Sequence, residues 1–106
     1  MDGNNMNNVA KISLIAKSYA LNEIGVPVPT ETKKSVYAYK SSINQSEYYE
    51  GGLQGLQPYA CYTVRLTEYN DEDELEEGTR RLTVYRTYNR TDGRVELYTT
   101  ERKGQK

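Results

Sequence analysis

YRTYNRTDGRVELYTTERKG, Tyr85 to Gly104, is the stretch whose reading decides the fold. Large and polar residues alternate up to Asp92-Gly93 and alternate again beyond it. That is the period of two half-buried strands joined by a tight turn. Leu82, Val84 and Tyr88 hold even positions, and Val95 and Leu97 hold odd ones. A two-residue Asp92-Gly93 turn pairs Thr91 with Arg94, hence Tyr88 with Leu97 and Arg90 with Val95. Both apolar sets then share one face, as a half-buried sheet requires. Asp-Gly also supplies the positive φ angles of such a turn.

Working outward, the same alternation recurs upstream. In Tyr59–Tyr69, Ala60, Tyr62, Val64 and Leu66 share one face and Cys61, Thr63, Arg65 and Thr67 the other. In Ser35–Ser42, Val36 and Ala38 oppose Tyr37 and Tyr39. Lys11–Lys17 reads as the first strand. In Asn22–Lys34, Pro27 and Pro29 lack backbone donors, which makes the segment a loop or an edge.

The period changes at Ile43–Pro58. Asn44 is placed as an N-cap with Glu47 completing a capping box, and Ile43 and Tyr48 as a hydrophobic staple. Tyr49, Leu53 and Leu56 then line one helical face. Gly55 and Pro58 stop the helix. Gly51-Gly52 is either a frayed helix end or a point of close backbone approach. The expectation is a mainly β fold: a small antiparallel barrel or sandwich of about five to six strands with one short inserted helix, around 44–54. The domain runs over 11–102, with a polar tail at 1–10 and another at 103–106.

The composition restricts function. With 106 residues the chain supports one modest core. It has 11 Tyr but neither Phe nor Trp. Tyr suits half-buried walls and interfaces, because its hydroxyl wants water or a partner. Fourteen basic against fifteen acidic residues, net −1, argue against a dedicated duplex-DNA binder. The chain has no His, so the usual acid–base group at neutral pH is missing. Cys61, in a strand without a His to activate it, reads as a small packed residue. Asp71–Glu77 lacks the spacing of a calcium loop and reads as a solvated acidic loop. No Gly-rich phosphate loop follows a strand. No catalytic residue, metal or cofactor is expected. Arg86 shares the parity of Leu82 and Val84, which turns it toward the core side, where an Arg needs a carboxylate. Glu47 is the candidate partner. Glu47, Arg86, Tyr88, Asp92 and Gly93 are therefore assigned structural roles. The N-terminal segment lacks the apolar core of a secretion signal, and no apolar run reaches a membrane span.

Several of these elements, taken in order, resemble the phage head–tail joining proteins, also called head-closure or stopper proteins. The elements are Ser42, Ile43, Ser46, Glu47, Tyr48 and Tyr49; Gly55, Leu56 and Pro58; Glu68 and Tyr69; Arg86, Thr87 and Tyr88; and Glu96, Leu97 and Tyr98. The likeness covers roughly Val36 to Gly104. The chain departs from it in the long acidic NDEDELEEG and in the Gly51-Gly52 pair. The resemblance implies a small β-barrel with a short helix. It also implies a virion ring below the portal and adaptor, which closes the DNA-filled head and offers a face to a tail or tail-terminator protein. DNA would pass the channel without sequence-specific contact, no membrane would be involved, and the subunit would be made in the host cytoplasm. Three regions are the expected contacts: Pro27, Pro29 and Thr30; Asp71, Glu72, Asp73 and Glu74; and Arg102 and Lys103. Two rivals stand beside this reading. One is an OB-like barrel binding single strands through Tyr85 and Tyr98. The other, lowest, is an enzyme.

Overall fold

A computed structural model of the chain describes residues 8–101. Six antiparallel strands close into a barrel: β1 (Val9–Leu21), β2 (Pro27–Ser41), β3 (Pro58–Arg65), β4 (Glu74–Glu77), β5 (Arg80–Asn89) and β6 (Arg94–Glu101). The order around the barrel is β1-β2-β3-β6-β5-β4, and β4 pairs with β1 to shut it. One helix, α1 (Gln45–Leu53), crosses from β2 to β3. The expected class is therefore the observed one, and the barrel alternative is the correct form.

Closure surrounds a single core. Ile12, Leu14, Val36, Ala38, Ala60, Tyr62, Val64, Leu75, Leu82, Val95 and Leu97 fill it. Each comes from the apolar phase of its strand, and burying a Leu, Ile or Val fully is worth about 1.5–3 kcal/mol. Among the described residues Tyr62 is the only aromatic wholly inside, at 0% exposure. Its hydroxyl donates to Glu77 at 2.6 Å. Cys61 is buried, as its place in a strand suggested.

The final hairpin corrects the predicted register. Arg90 N–H bonds Arg94 C=O at 2.8 Å, so the loop is Thr91-Asp92-Gly93, three residues, with Gly93 at φ +82°. Tyr88 faces Glu96, and Thr87 faces Leu97. A bulge at Tyr85 then shifts the register by one more, pairing Val84 with Thr99. Parity is restored by two successive one-residue steps, so Leu82 and Val84 still share the inner face with Val95 and Leu97. Tyr88 is 56% exposed, and Arg86, beyond the bulge, points outward.

Two other expectations change and one is resolved. The strand β1 begins at Val9, inside the stretch expected as a tail, and Ala10 packs on the core. Of the two readings of the proline segment, loop or edge, Pro27–Lys34 is the edge. It belongs to β2, paired with β1 from Leu21↔Pro27 onward. Its prolines sit where an edge requires them, because Asn22 and Val26 bond each other. By alternation, the Pro27 and Pro29 nitrogens then face away from β1. The acidic run is not a solvated loop. Glu74–Glu77 is β4, with Leu75 at 0% exposure, and Glu72 and Glu74 are buried.

The helix end is as the sequence suggests. Asn44 Oδ1 accepts the Glu47 N–H at 2.7 Å. Gly55, at φ +80°, closes a Schellman motif, with Leu56 N–H to Gly51 O and Gly55 N–H to Gly52 O. The predicted apolar face is not buried, however. Tyr48, Tyr49 and Leu53 are exposed, and Gly51 is the buried residue. A Cβ at Gly51 would lie 2.6 Å from the Pro58 ring, whereas one at Gly52 would meet nothing. The glycine pair thus divides: Gly51 permits contact with β3, and Gly52 is only a weak helix former. Gly51→Ala should lower stability by about 1–3 kcal/mol through overpacking. Gly52→Ala should raise it by up to about 1 kcal/mol. Urea denaturation midpoints of the two variants, moving in opposite directions, check both.

Candidate functional site

The described charges are largely spent within the chain. Carboxylates of and beside β4 draw cations from three strands: Lys17–Glu74 at 3.3 Å, Lys33–Glu76 at 3.0 Å, Lys40–Glu77 at 2.9 Å and Arg81–Glu74 at 2.6 Å. Lys34 lies 4.0 Å from Glu72. Arg81 also reaches Glu31 at 2.6 Å. On Glu74, burial raises the pKa, but Arg81 and Lys17 outweigh it and hold the carboxyl below its ordinary range. Glu77 behaves alike, with Tyr62 and Lys40 as its donors. Burial and the Glu77 bond push the Tyr62 phenol far upward. Tyr69, half-buried beside Asp71, Glu72 and Asp73, is pushed up to about 12.

The second cluster pins α1 to β5. Glu47 accepts from the Tyr85 hydroxyl at 2.6 Å and from Arg86 at 2.5 Å. The Arg86 guanidinium covers the Tyr98 ring, 4.2 Å from its centroid. Tyr98 donates to Glu96 at 2.8 Å. The Glu47–Arg86 pairing read from the sequence is present, although it forms on the outer face. Glu47 takes no part in a capping box, because its carboxylate reaches β5.

Apolar surface that nothing covers occurs in three places. The β1–β2 hairpin runs past the barrel as an arm and ends in exposed Tyr19, Leu21, Ile24, Val26 and Val28. The molecule accordingly measures 59 × 31 × 28 Å. The arm is rigidly closed: Asn22 Oδ1 accepts the Ile24 and Val26 N–H groups at 3.0 and 2.9 Å. Gly25 holds φ +83°. Ser18 and Thr30 hydroxyls join across the strands at 3.0 Å. At the other end of the same hairpin is a groove of about 290 Å³ that includes Val9, Tyr37, Tyr39, Val64, Arg65 and Arg94. The third place is the outer face of α1.

Pro27, Pro29 and Thr30 thus lie on the arm. Asp71, Glu72, Asp73 and Glu74 all line a hollow of about 170 Å³, and of these Glu72 and Glu74 are buried, bonded to Asn70 N–H and to Arg81 and Lys17 respectively. The two groups approach each other at Arg81, which bridges Glu74 to Glu31, the neighbour of Thr30. Arg102 and Lys103 lie outside the described residues, as do the tails 1–7 and 103–106. The groove was not singled out from the sequence. Its signal was the outward phase of Tyr37 and Tyr39, which had no assigned purpose. Among the described residues no group of His, Cys, Asp or Glu is placed to hold a metal, and no helix is long and apolar enough to cross a membrane. Compared with protein-family models and with curated proteins, the chain matches none.

Burial raises the pKa of Glu47, but Arg86 and Tyr85 outweigh it and leave the carboxyl depressed. The stabilisation is therefore full above the ordinary carboxylate range and lost as pH falls through the depressed value. Glu47→Gln should lose about 1 kcal/mol or less near neutrality, given the exposure of Arg86. It should also flatten the acid limb of a stability–pH profile measured by urea denaturation.

Proposed function

We propose that this chain is a structural ring subunit at the head–tail junction of a tailed phage or prophage. It would close the DNA-filled head below the portal and adaptor and present a docking face to the tail or its terminator. It works by filling and sealing interfaces within the virion after synthesis in the host cytoplasm, and it carries out no catalysis. DNA passes through without sequence-specific contact.

The observation that carries this reading is the division of labour in the molecule. The barrel satisfies most of its own charges and closes its strand edges, while a braced arm holds apolar side chains in the open. Interfaces are rich in Tyr and Arg, and this chain places Tyr19, Tyr37, Tyr39, Arg65 and Arg94 outward. The sequence resemblance to head-closure proteins agrees with the closed barrel and single helix. The single-strand-binding reading is weaker, because Arg86 already covers the Tyr98 ring that a base would stack on.

The test is electron microscopy of lysates from a phage lacking this reading frame, with and without the protein resupplied. Unjoined heads and separate tails, converted to complete particles by resupply, are expected. Complete particles without the protein would overturn the reading. Salt-sensitive single-strand binding that Tyr85→Ala or Tyr98→Ala abolishes would then favour the OB-like alternative.

A further inference from the structure

We infer that the arm of one copy seats in the groove of the next, with Glu23 meeting Arg65 and Arg94. This deepens the ring reading, on which it rests, by naming the two faces of the subunit contact.

The first observation is charge. Between Ser18 and Thr30 the arm carries one charged residue, the exposed Glu23, at the centre of its apolar tip. Most described cations have a carboxylate. Arg65 and Arg94 form no ion pair with any described residue, and both line the groove. Arg94 is held in place there, 5.3 Å over the Tyr39 ring. Glu68, also in the lining, leaves the groove with a net positive charge against the negative tip.

The second observation is distance. Val9 and Tyr39 pair at one end of the β1–β2 ladder and Leu21 and Pro27 at the other. Twelve residues of strand separate them, about 40 Å at about 3.3 Å per residue. The continuous ladder prevents the arm from folding back, so only another copy can bring a tip to a groove. Such a contact is heterologous, head to tail, and repeats into a closed ring or an open filament according to the rotation per step.

The third observation concerns form. At about 290 Å³ the groove lies at the lower limit for a small-molecule site. It is lined by Tyr37 and Tyr39 and suits one or two inserted side chains such as Ile24. On the arm, Pro27 and Pro29 offer no N–H to a strand on the β2 edge, so docking there proceeds through side chains. The braced loop, with Asn22 and Gly25 fixing its shape, reduces the ordering cost of docking.

Full-length Val26→Cys and Tyr37→Cys proteins, mixed and oxidised at high concentration, test the contact while leaving Glu23, Ile24, Arg65 and Arg94 intact. Cys61 is buried and does not compete. The mixed disulfide dimer should exceed either homotypic dimer by about tenfold, the ratio that about 1.4 kcal/mol of specific contact produces. Adding Glu23→Arg should remove the excess, and Arg65→Glu with Arg94→Glu on the groove protein should restore it. Circular dichroism of each variant confirms the fold. No excess of the mixed dimer, or an excess indifferent to both charge reversals, overturns the contact. Head joining by resupplied Glu23→Arg protein alone would also overturn it, while leaving the ring reading intact.

Discussion

Everything in the barrel depends on β4, a strand of four residues in the most acidic part of the chain. It supplies Leu75 to the core and lets β1 and β5 meet through it. Its carboxylates could not stand side by side without cations, and Lys17, Lys33, Lys40 and Arg81 arrive from β1, β2 and β5. The charges that make the segment look like a solvated loop are the ones that hold it as a closing strand. Closure in turn removes the exposed strand edges that a small sheet would otherwise present.

The same economy explains the use of Tyr. With no Phe, the one aromatic wholly inside is Tyr62, and its hydroxyl must find Glu77 at the barrel mouth. Tyr85 and Tyr98 lie on the outer wall and spend their hydroxyls on Glu47 and Glu96. Arg86 lies between them. Helix, sheet and bulge meet at this point: the bulge at Tyr85 turns Arg86 out of the barrel, where Glu47 can reach it.

Much of the fold was legible in the sequence because alternation reports faces directly. It identified the inward sets of β2 and β6, the inward Ala60, Tyr62 and Val64 of β3 and Leu82 and Val84 of β5, the Asn44 cap and the Gly55 stop; Leu66, Arg86 and Tyr88, given the same phase, face outward. Parity could not separate registers that differ by two, so the three-residue loop and the bulge together imitated a two-residue turn. The helix face was misread because periodicity favours Tyr49 and Leu53, whereas close approach to Pro58 selects Gly51. The strand at Glu74–Glu77 was hidden because its single inward apolar residue, Leu75, is surrounded by charges, several of whose partners, Lys17, Lys33 and Lys40, are far away in sequence. Of the candidate surface, Pro27, Pro29 and Thr30 were marked in the sequence as part of a loop or an edge, but their place on a long hairpin arm was not read. The groove was not legible, since its residues come mainly from β1, β2, β3 and β6, and only the pairing of strands far apart in sequence assembles them.

The β1–β2 hairpin is joined to the rest of the barrel along two short seams. It meets β4 only at Ser13–Ile15 and β3 only at Tyr39–Ser41. Within the hairpin the ladder is unbroken from Val9↔Tyr39 to Leu21↔Pro27. The hairpin is thus a stiff lever joined to a shell by two short seams; parting them would leave the hydrogen bonds within each part intact but would take Ile12, Leu14, Val36 and Ala38 out of the core. Closing Leu14 against Leu75 costs more loop entropy than closing either local hairpin. A load applied at the arm tip would therefore be felt first at Glu74, Glu76 and their lysines.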